Sequence, residues 1–380
     1  MHLLQNKKIA IIGGGPGGLT LARLLQMAGA QISVYERDLN RSVRVQGATL
    51  DLHADSGLLA LEAAGLMDAF KTNYRPGADK LRIADKNMQL LMDEPINAPE
   101  EMFRPEIDRG PLRNILMDSL LPDTIVWDSH LTSLQQTNNG WQLTFRNGRT
   151  AYADIVIAAD GANSIVRPLV TPIRPFYSGV TMVEGSIYNS ATTIPALHQL
   201  LDGGKLFVMG DEKTLILSSK GDGSIVFYTG CNTNEDWVHT SGINFNDRDS
   251  VKNWFQTTFA GWNPLWLELI ENAATPFIPR PQYCMPLDQH WEALPNITLL
   301  GDAAHLMPPF AGEGVNMAMQ DALELSQCLT QGNYPDVHSA IAGYEQQMRA
   351  RASAAATTTM EQTILLHSPA GTEHLLGMFS

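Results

Sequence analysis

The sequence predicts an α/β protein with a buried parallel sheet, a second β-rich region and a closing C-terminal helix. Three observations predict it. The run Lys8-Ile-Ala-Ile-Ile-Gly13 is continuously apolar and ends in glycines, as a strand covered on both faces does. Leu19 to Gly29 then shows helical spacing with a glycine stop, and Gln31 to Glu36 reads as a second strand, completing one βαβ unit. Ile155-Val-Ile-Ala-Ala-Asp160 and Asn296-Ile-Thr-Leu-Leu-Gly301 are further buried-strand patterns, far along the chain.

The elements between them follow in order. Leu112 to Leu121 reads as a helix. Ile125–Trp127, Leu131–Leu134 and Trp141–Phe145 read as meander strands, with turns at Asn138-Asn-Gly and Asn147-Gly. The texture changes near Arg174, where Gly204–Met209, Thr214–Ser218 and Ser224–Thr229 suggest a second sheet. Val337 to His367 is mostly helix-forming. The boundaries expected are 1–173 and 286–335 for the two parts of the first domain, 174–285 for the second sheet and 336–380 for a bridging C-terminal helix.

Composition excludes several function classes. Lys and Arg total 26 against 40 Asp and Glu, a net charge of −14, which repels nucleic acid and anionic membranes. The partner expected is therefore a small molecule. Cys231, Cys284 and Cys328 form no CxxC pair, so no metal site is expected, and the sparse set suits a reducing compartment. No apolar run is long enough to span a bilayer, and MHLLQNKK leaves no room for a leader; the expectation is a cytoplasmic protein.

Gly13-Gly14-Gly15-Pro16-Gly17-Gly18 places GxGxxG between the first strand and its helix. In such a loop Gly13 makes the tight turn, Gly15 lets the backbone approach a pyrophosphate and Gly18 lets the helix pack on the strand. The helix N-terminus offers free N–H groups and a positive dipole to phosphates. Glu36 ends the next strand, where an acid binds a ribose hydroxyl. Gly13, Gly15, Pro16, Gly18, Glu36 and Arg37 are thus candidate cofactor residues of a Rossmann-like domain. The loop alone fits NAD or FAD equally.

Two later motifs carry a family resemblance. Ala159-Asp160-Gly161-Ala162-Asn163-Ser164-Ile165-Val166-Arg167 resembles the "DG" motif of single-component flavin hydroxylases, and Leu300-Gly301-Asp302 through Asn316 resembles their "GD" motif. Arg109-Gly-Pro-Leu112-Arg113 is similar to the family's R-x-x-L helix start, with Arg109 favoured over Arg113 as the cofactor contact. The resemblance implies FAD in a Rossmann-like domain of the GR2, para-hydroxybenzoate hydroxylase-like type, with a β-sheet substrate domain. It implies NADPH or NADH as a transient co-substrate, and O2 activated as a hydroperoxide at flavin C4a. Asp160 and Asp302 would meet the cofactor or its nucleotide partner. Pro309, Gly312, Gly314, Val315 and Asn316 would border the ring, and the helix after Gly314 would point its positive end at it. His305 reads either as part of this motif or as a packed polar residue.

Within that family, Gly47-Ala-Thr-Leu-Asp51-Leu-His53, Glu106-Ile-Asp-Arg109, Ile125-Val-Trp127-Asp and Tyr344-Glu-Gln-Gln-Met348 resemble the Tet(X)-type tetracycline-inactivating monooxygenases. That implies Asp51 near the junction of flavin and substrate, Phe310 in the substrate wall, a monomer, and tetracycline as a candidate substrate. The second sheet departs from the group at Glu184, Lys213 and Val226, which stand where it has a Gln, an Arg and a His. A pocket Glu184 would favour a cationic or hydroxyl-rich ligand; the alternative is a solvated side chain. No side chain is singled out as a general base; the flavin carries the chemistry. The competing classes are a flavin oxidoreductase without oxygen insertion, a non-catalytic flavin-binding protein and a flavin halogenase, whose WxWxI signature Trp262-Asn-Pro-Leu-Trp266 does not match. Oxygen uptake that tracks product separates the first, and failure of NAD(P)H to bleach flavin separates the second.

Overall fold

The computed structural model describes residues 2–43, 47–94 and 104–379. Five parallel strands form the first layer, in the order Ile297–Leu299, Ile155–Ala158, Lys8–Ile12, Gln31–Tyr35, Ile125–Val126. Ile155 to Ala158 are all buried, because helices and the antiparallel strands Leu131–Gln136, Trp141–Phe145 and Thr150–Ala153 cover the sheet. The helix Pro16–Met27 starts on a proline, whose missing N–H costs nothing there, and stops before Gly29 at φ +80°.

The second layer is a seven-stranded sheet in the order Ile278–Cys284, Phe176–Ile187, Ile225–Asn232, Lys213–Ser219, Lys205–Gly210, Leu81–Asp85, Leu90–Asp93. Alternation gives it two unlike faces. Val183, Leu206, Val208, Leu215, Leu217 and Phe227 pack with Leu197, Phe255 and Leu269 of its covering helices. The opposite face turns toward the parallel layer: there the Tyr228 hydroxyl accepts from Ala48 N, and Ser218 and Thr49 share a hydrogen bond.

The expected first segment, 1–173, does not lie wholly in the first layer. Leu81–Asp85 and Leu90–Asp93 belong to the substrate sheet although they lie inside the first segment. Leu81–Asp85 pairs in parallel with Lys205–Gly210 and buries Ile83 and Ala84. A parallel partner so distant in sequence leaves no turn signal nearby.

The C-terminal segment forms two helices, Val337–Leu366 and Gly371–Gly377, where one was expected; Pro369 interrupts them. The first, 30 residues long, buries Ala340, Tyr344, Met348 and Ala352 in the core of the parallel layer. Its last residue, Leu366, packs with Ile83 and Met209 of the other sheet. Among the described residues no helix is long and apolar enough to cross a membrane.

Candidate active site

The glycine loop turns at the carboxyl end of the first strand. Gly13 sits at φ +108°, and a side chain there would overlap the Ala159 carbonyl. A side chain on Gly18 would overlap the carbonyl of Gly13. Gly15 differs: its backbone is extended and a Cβ would meet no protein atom within 4 Å. Folding does not require glycine at that position, so the open space above it, at a helix N-terminus, fits a phosphate group. Glu36 is buried and accepts from Gly14 N at 2.7 Å and Asp38 N at 3.0 Å, which ties the second strand to the loop. Arg37 is exposed, on the side of His130.

The two arginines of the following helix, Arg109–Asp118, have different surroundings. Arg113 is buried; its Nε donates to Gly14 O at 3.3 Å and Nη2 to Asp38 at 3.1 Å. Arg109 is exposed, donates to Ala48 O at 3.0 Å, and has Asp302 within electrostatic reach. Arg109 therefore faces the cleft and Arg113 braces the loop.

Asp160 and Asp302 end neighbouring strands of the parallel sheet, where ligands bind in such folds. Asp160 Oδ2 accepts from Ile165 N at 2.9 Å, while its buried Oδ1 has no partner among the described residues. That orphaned acceptor, beside the loop, fits a hydroxyl of a bound nucleotide. Asp302 opens to the cleft with protein walls around it; the crowding raises its carboxyl pKa despite the positive charge of His305, Arg109 and Arg167. Arg167 was not among the expected site residues although it ends the quoted DG motif. It donates from Nε to Ala303 O at 2.6 Å, and from Nη2 to Asp302 O at 2.7 Å and Ala162 O at 3.0 Å. It thus staples the two motifs together. Arg167→Met is expected to weaken FAD binding at least tenfold, since each lost charged hydrogen bond is worth about 1.5–3 kcal/mol. Flavin fluorescence titration measures this, and an unchanged Kd would contradict the staple.

Below Asp302, Asp321 is fully buried. It accepts from His305 Nε2 at 2.6 Å, Gly301 N at 2.9 Å and Arg351 Nη2 at 2.6 Å. His305 is thus a buried support beneath the cleft, hydrogen-bonded to Asp321. Pro309–Ala311 forms a short 3-10 turn, Gly312 follows at φ +72°, and the 17-residue helix Gly314–Thr330 begins, with Val315 half-buried near its start. A Cβ on Gly314 would also meet open space. Asn316 is buried and bridges inward: its Nδ2 donates to Asp51 O and its Oδ1 accepts from His53 N, both at 2.9 Å.

The sheet opposite supplies a wall. In register across it stand Glu184, Tyr228, Ile216 and Phe207, on the face turned to the cleft. Tyr228, Ile216 and Phe207 are half-exposed among buried neighbours. Glu184 is buried and ion-paired with Arg280, whose side chain is 47% exposed. The expectation that Glu184 offers a negative charge to ligand is corrected: its charge is met by Arg280, and the guanidinium is what reaches solvent. Val226 lies on the same face, fully buried beside Ser218 and Ser186. Lys213 falls on the opposite face by alternation from Thr214, its ammonium donating to Asp211 O. Phe310 is half-exposed with its ring edge-on to His367 at 5.1 Å. His367, which nothing in the sequence distinguished, donates from Nδ1 to Thr363 O and takes a hydrogen bond at Nε2 from Thr214.

Known proteins resemble the chain over most of its length. A family model described as FAD binding domain matches residues 6–272 and 287–359. Monooxygenase penA of Penicillium thymicola is 29% identical and covers 97% of each chain. The 3-amino-4-hydroxybenzoate 2-monooxygenase PtmB3 of Streptomyces platensis is 26% identical over 99% of this chain and 92% of its own. The structure of an FAD containing monooxygenase from Photorhabdus luminescens subsp. laumondii matches with a TM-score of 0.79 at 27% identity, covering 95% of this chain and 98% of that one. Tetracycline destructase Tet(51) shares the fold, with a TM-score of 0.71 at 20% identity over 98% of this chain and 93% of its own. The chain belongs to the FAD binding domain family and is an FAD-dependent monooxygenase.

Proposed function

We propose that this monooxygenase hydroxylates a planar aromatic or polyketide-like small molecule, taking electrons from NADPH or NADH and oxygen from O2. The observation that carries this reading is the half-exposed row of Phe207, Ile216 and Tyr228, set opposite the glycine cradle and flanked by Phe310 and His367. An apolar, aromatic wall with few polar groups suits a flat ring system. The exposed guanidinium of Arg280 and the Tyr228 hydroxyl favour a phenolic, enolic or carboxylate substituent over a cationic one.

The chain's part is to hold, orient and shield. Gly13, Gly15, Pro16 and Gly18 would hold the pyrophosphate, with Glu36 and Arg37 at the adenosine side. Arg109, Asp160 and Asp302 would face the middle of the cofactor, and Asp51, Pro309, Gly312, Gly314, Val315 and Asn316 its ring end. FAD, when bound, would supply the redox chemistry by which two electrons from the nicotinamide reduce O2, one oxygen atom entering the substrate and the other leaving as water. The N-terminus of Gly314–Thr330 directs its dipole toward the ring end, which stabilises negative charge there. The sheet wall excludes water from the reacting centre. His367, its pKa lowered by burial, presents a neutral ring at the pocket edge.

The test is turnover in air with NADPH or NADH against a panel of phenols, hydroxybenzoates and tetracycline. The expected result is nicotinamide oxidation accelerated by substrate, with a product heavier by one oxygen atom in mass spectrometry. Peroxide as the sole product across the panel would refute oxygen insertion. Modification of tetracycline itself would establish the narrower, drug-inactivating activity.

A further inference from the structure

Where the substrate sheet meets the FAD-binding layer, four titratable side chains converge from three elements. Asp51 and Glu106 face each other across the short antiparallel pair Leu50–Asp51 and Glu106–Ile107. Lys205 opens the strand Lys205–Gly210 on the sheet face turned to the cleft, in register with Ser218. Its ammonium contacts Glu106 Oε1 and stands 3.8 Å from Asp51 Oδ1. His53 Nε2 lies 3.3 Å from Asp51 Oδ2, and its Nδ1 lies 3.8 Å from Glu313. Asp51 is pinned at the ring end of the cradle: Asn316 binds its carbonyl, and a Cβ on Gly312 would come within 3.6 Å of Oδ2.

The two carboxylates sharing the lysine are unequal. Burial raises the Glu106 carboxyl pKa and outweighs Lys205, and Oε2 has no partner among the described residues. Burial also opposes the Asp51 charge, but the His53 hydrogen bond and the charges of Lys205 and His53 hold that carboxyl well below its usual range. Burial likewise opposes the Lys205 charge, and Glu106 and Asp51 overcome it. The other charges felt at the cluster are Arg104, Asp55 and Glu313. Asp51 is thus a carboxylate screened by a lysine that comes from the other domain.

We propose that Lys205 is a positioning residue that holds Asp51 as a screened carboxylate at the ring end of the FAD cradle, and so sets how readily bound FAD accepts negative charge on reduction. A bare carboxylate there opposes the charge of reduced flavin, and the lysine cancels part of that field. The proposal rests on FAD occupying the cradle, which the visible absorbance of the wild-type protein checks separately.

The experiment is the flavin midpoint potential of the holoenzyme and four variants, by reductive titration against reference dyes. Asp51→Asn is expected to shift it positive and Lys205→Met negative, while Lys205→Arg stays near wild type and Glu106→Gln, which frees the lysine for Asp51, does not shift it negative. A residue that only packs would move Asp51→Asn and Lys205→Met in the same direction. Same-sign shifts, or none in either, overturn the proposal. If Lys205→Met does not retain FAD, the double variant Lys205→Met/Glu106→Gln removes the buried pair together, and a negative shift relative to Glu106→Gln is expected. FAD lost from both lysine variants while Asp51→Asn keeps the wild-type potential overturns it as well.

Discussion

Gly15→Val is expected to give a folded protein that no longer retains FAD, with affinity lowered at least ~100-fold, or about 2.7 kcal/mol. The separation of folding from binding follows from the space around the loop. A Cβ at Gly15 meets no protein atom within 4 Å, and its φ of −80° and ψ of 176° are open to any residue. The change costs the helix only a mediocre cap, about 1 kcal/mol. What it fills is the approach to the N-terminus of Pro16–Met27, where backbone N–H groups must reach a pyrophosphate. Gly18→Val makes the contrast, because its side chain would collide with the Gly13 carbonyl and part the helix from the strand. Circular dichroism and thermal melting should be near wild type for Gly15→Val and degraded for Gly18→Val, with flavin absorbance lost from both. Full flavin retention by Gly15→Val would mean that the phosphates lie elsewhere.

Asp321→Ala is expected to be the most destabilising single change near the site, by about 3–5 kcal/mol, because it removes a fully buried carboxylate on which three donors converge. Asp321 is fully buried and links His305, Arg351 and the Gly301 N–H, while Arg351 Nη1 also binds both Glu324 oxygens at 2.6 Å. Removing the carboxylate leaves an imidazole and an N–H unpaired directly beneath Asp302. Arg351→Met should cost less, since Asp321 keeps His305 and the arginine side chain is 21% exposed. Urea unfolding of the three proteins measures the order. A loss below 1 kcal/mol for Asp321→Ala would show that water replaces the missing partner.

Much of the cradle was legible in the chain because each part closes within a short window. A buried strand, a tight turn and a helix start occupy residues 8 to 27. Asp302, Gly312 and Gly314 fall within one stretch whose backbone shape is set by glycine and proline. Pattern favours Arg109 over Arg113 as the cofactor contact, and packing gives the two different surroundings: Arg113 braces Gly14 and Arg109 faces Asp302.

The sequence by itself determined the nucleotide cradle, since local steric rules and helix termini act over a few residues; FAD over NAD came from the resemblance of its later motifs to a known family. Tertiary structure decided the substrate wall. Glu184 reads as a free acid until Arg280, 96 residues away, is laid against it across two strands. Lys205 meets Asp51 and Glu106 only when the two sheets are assembled, and His367 reaches Phe310 only because a 30-residue helix crosses from one core to the other. Strands Leu81–Asp85 and Leu90–Asp93 join the wall for the same reason. Pairings over such separations are fixed by the burial of whole faces, which leaves no trace in the local spacing of residues.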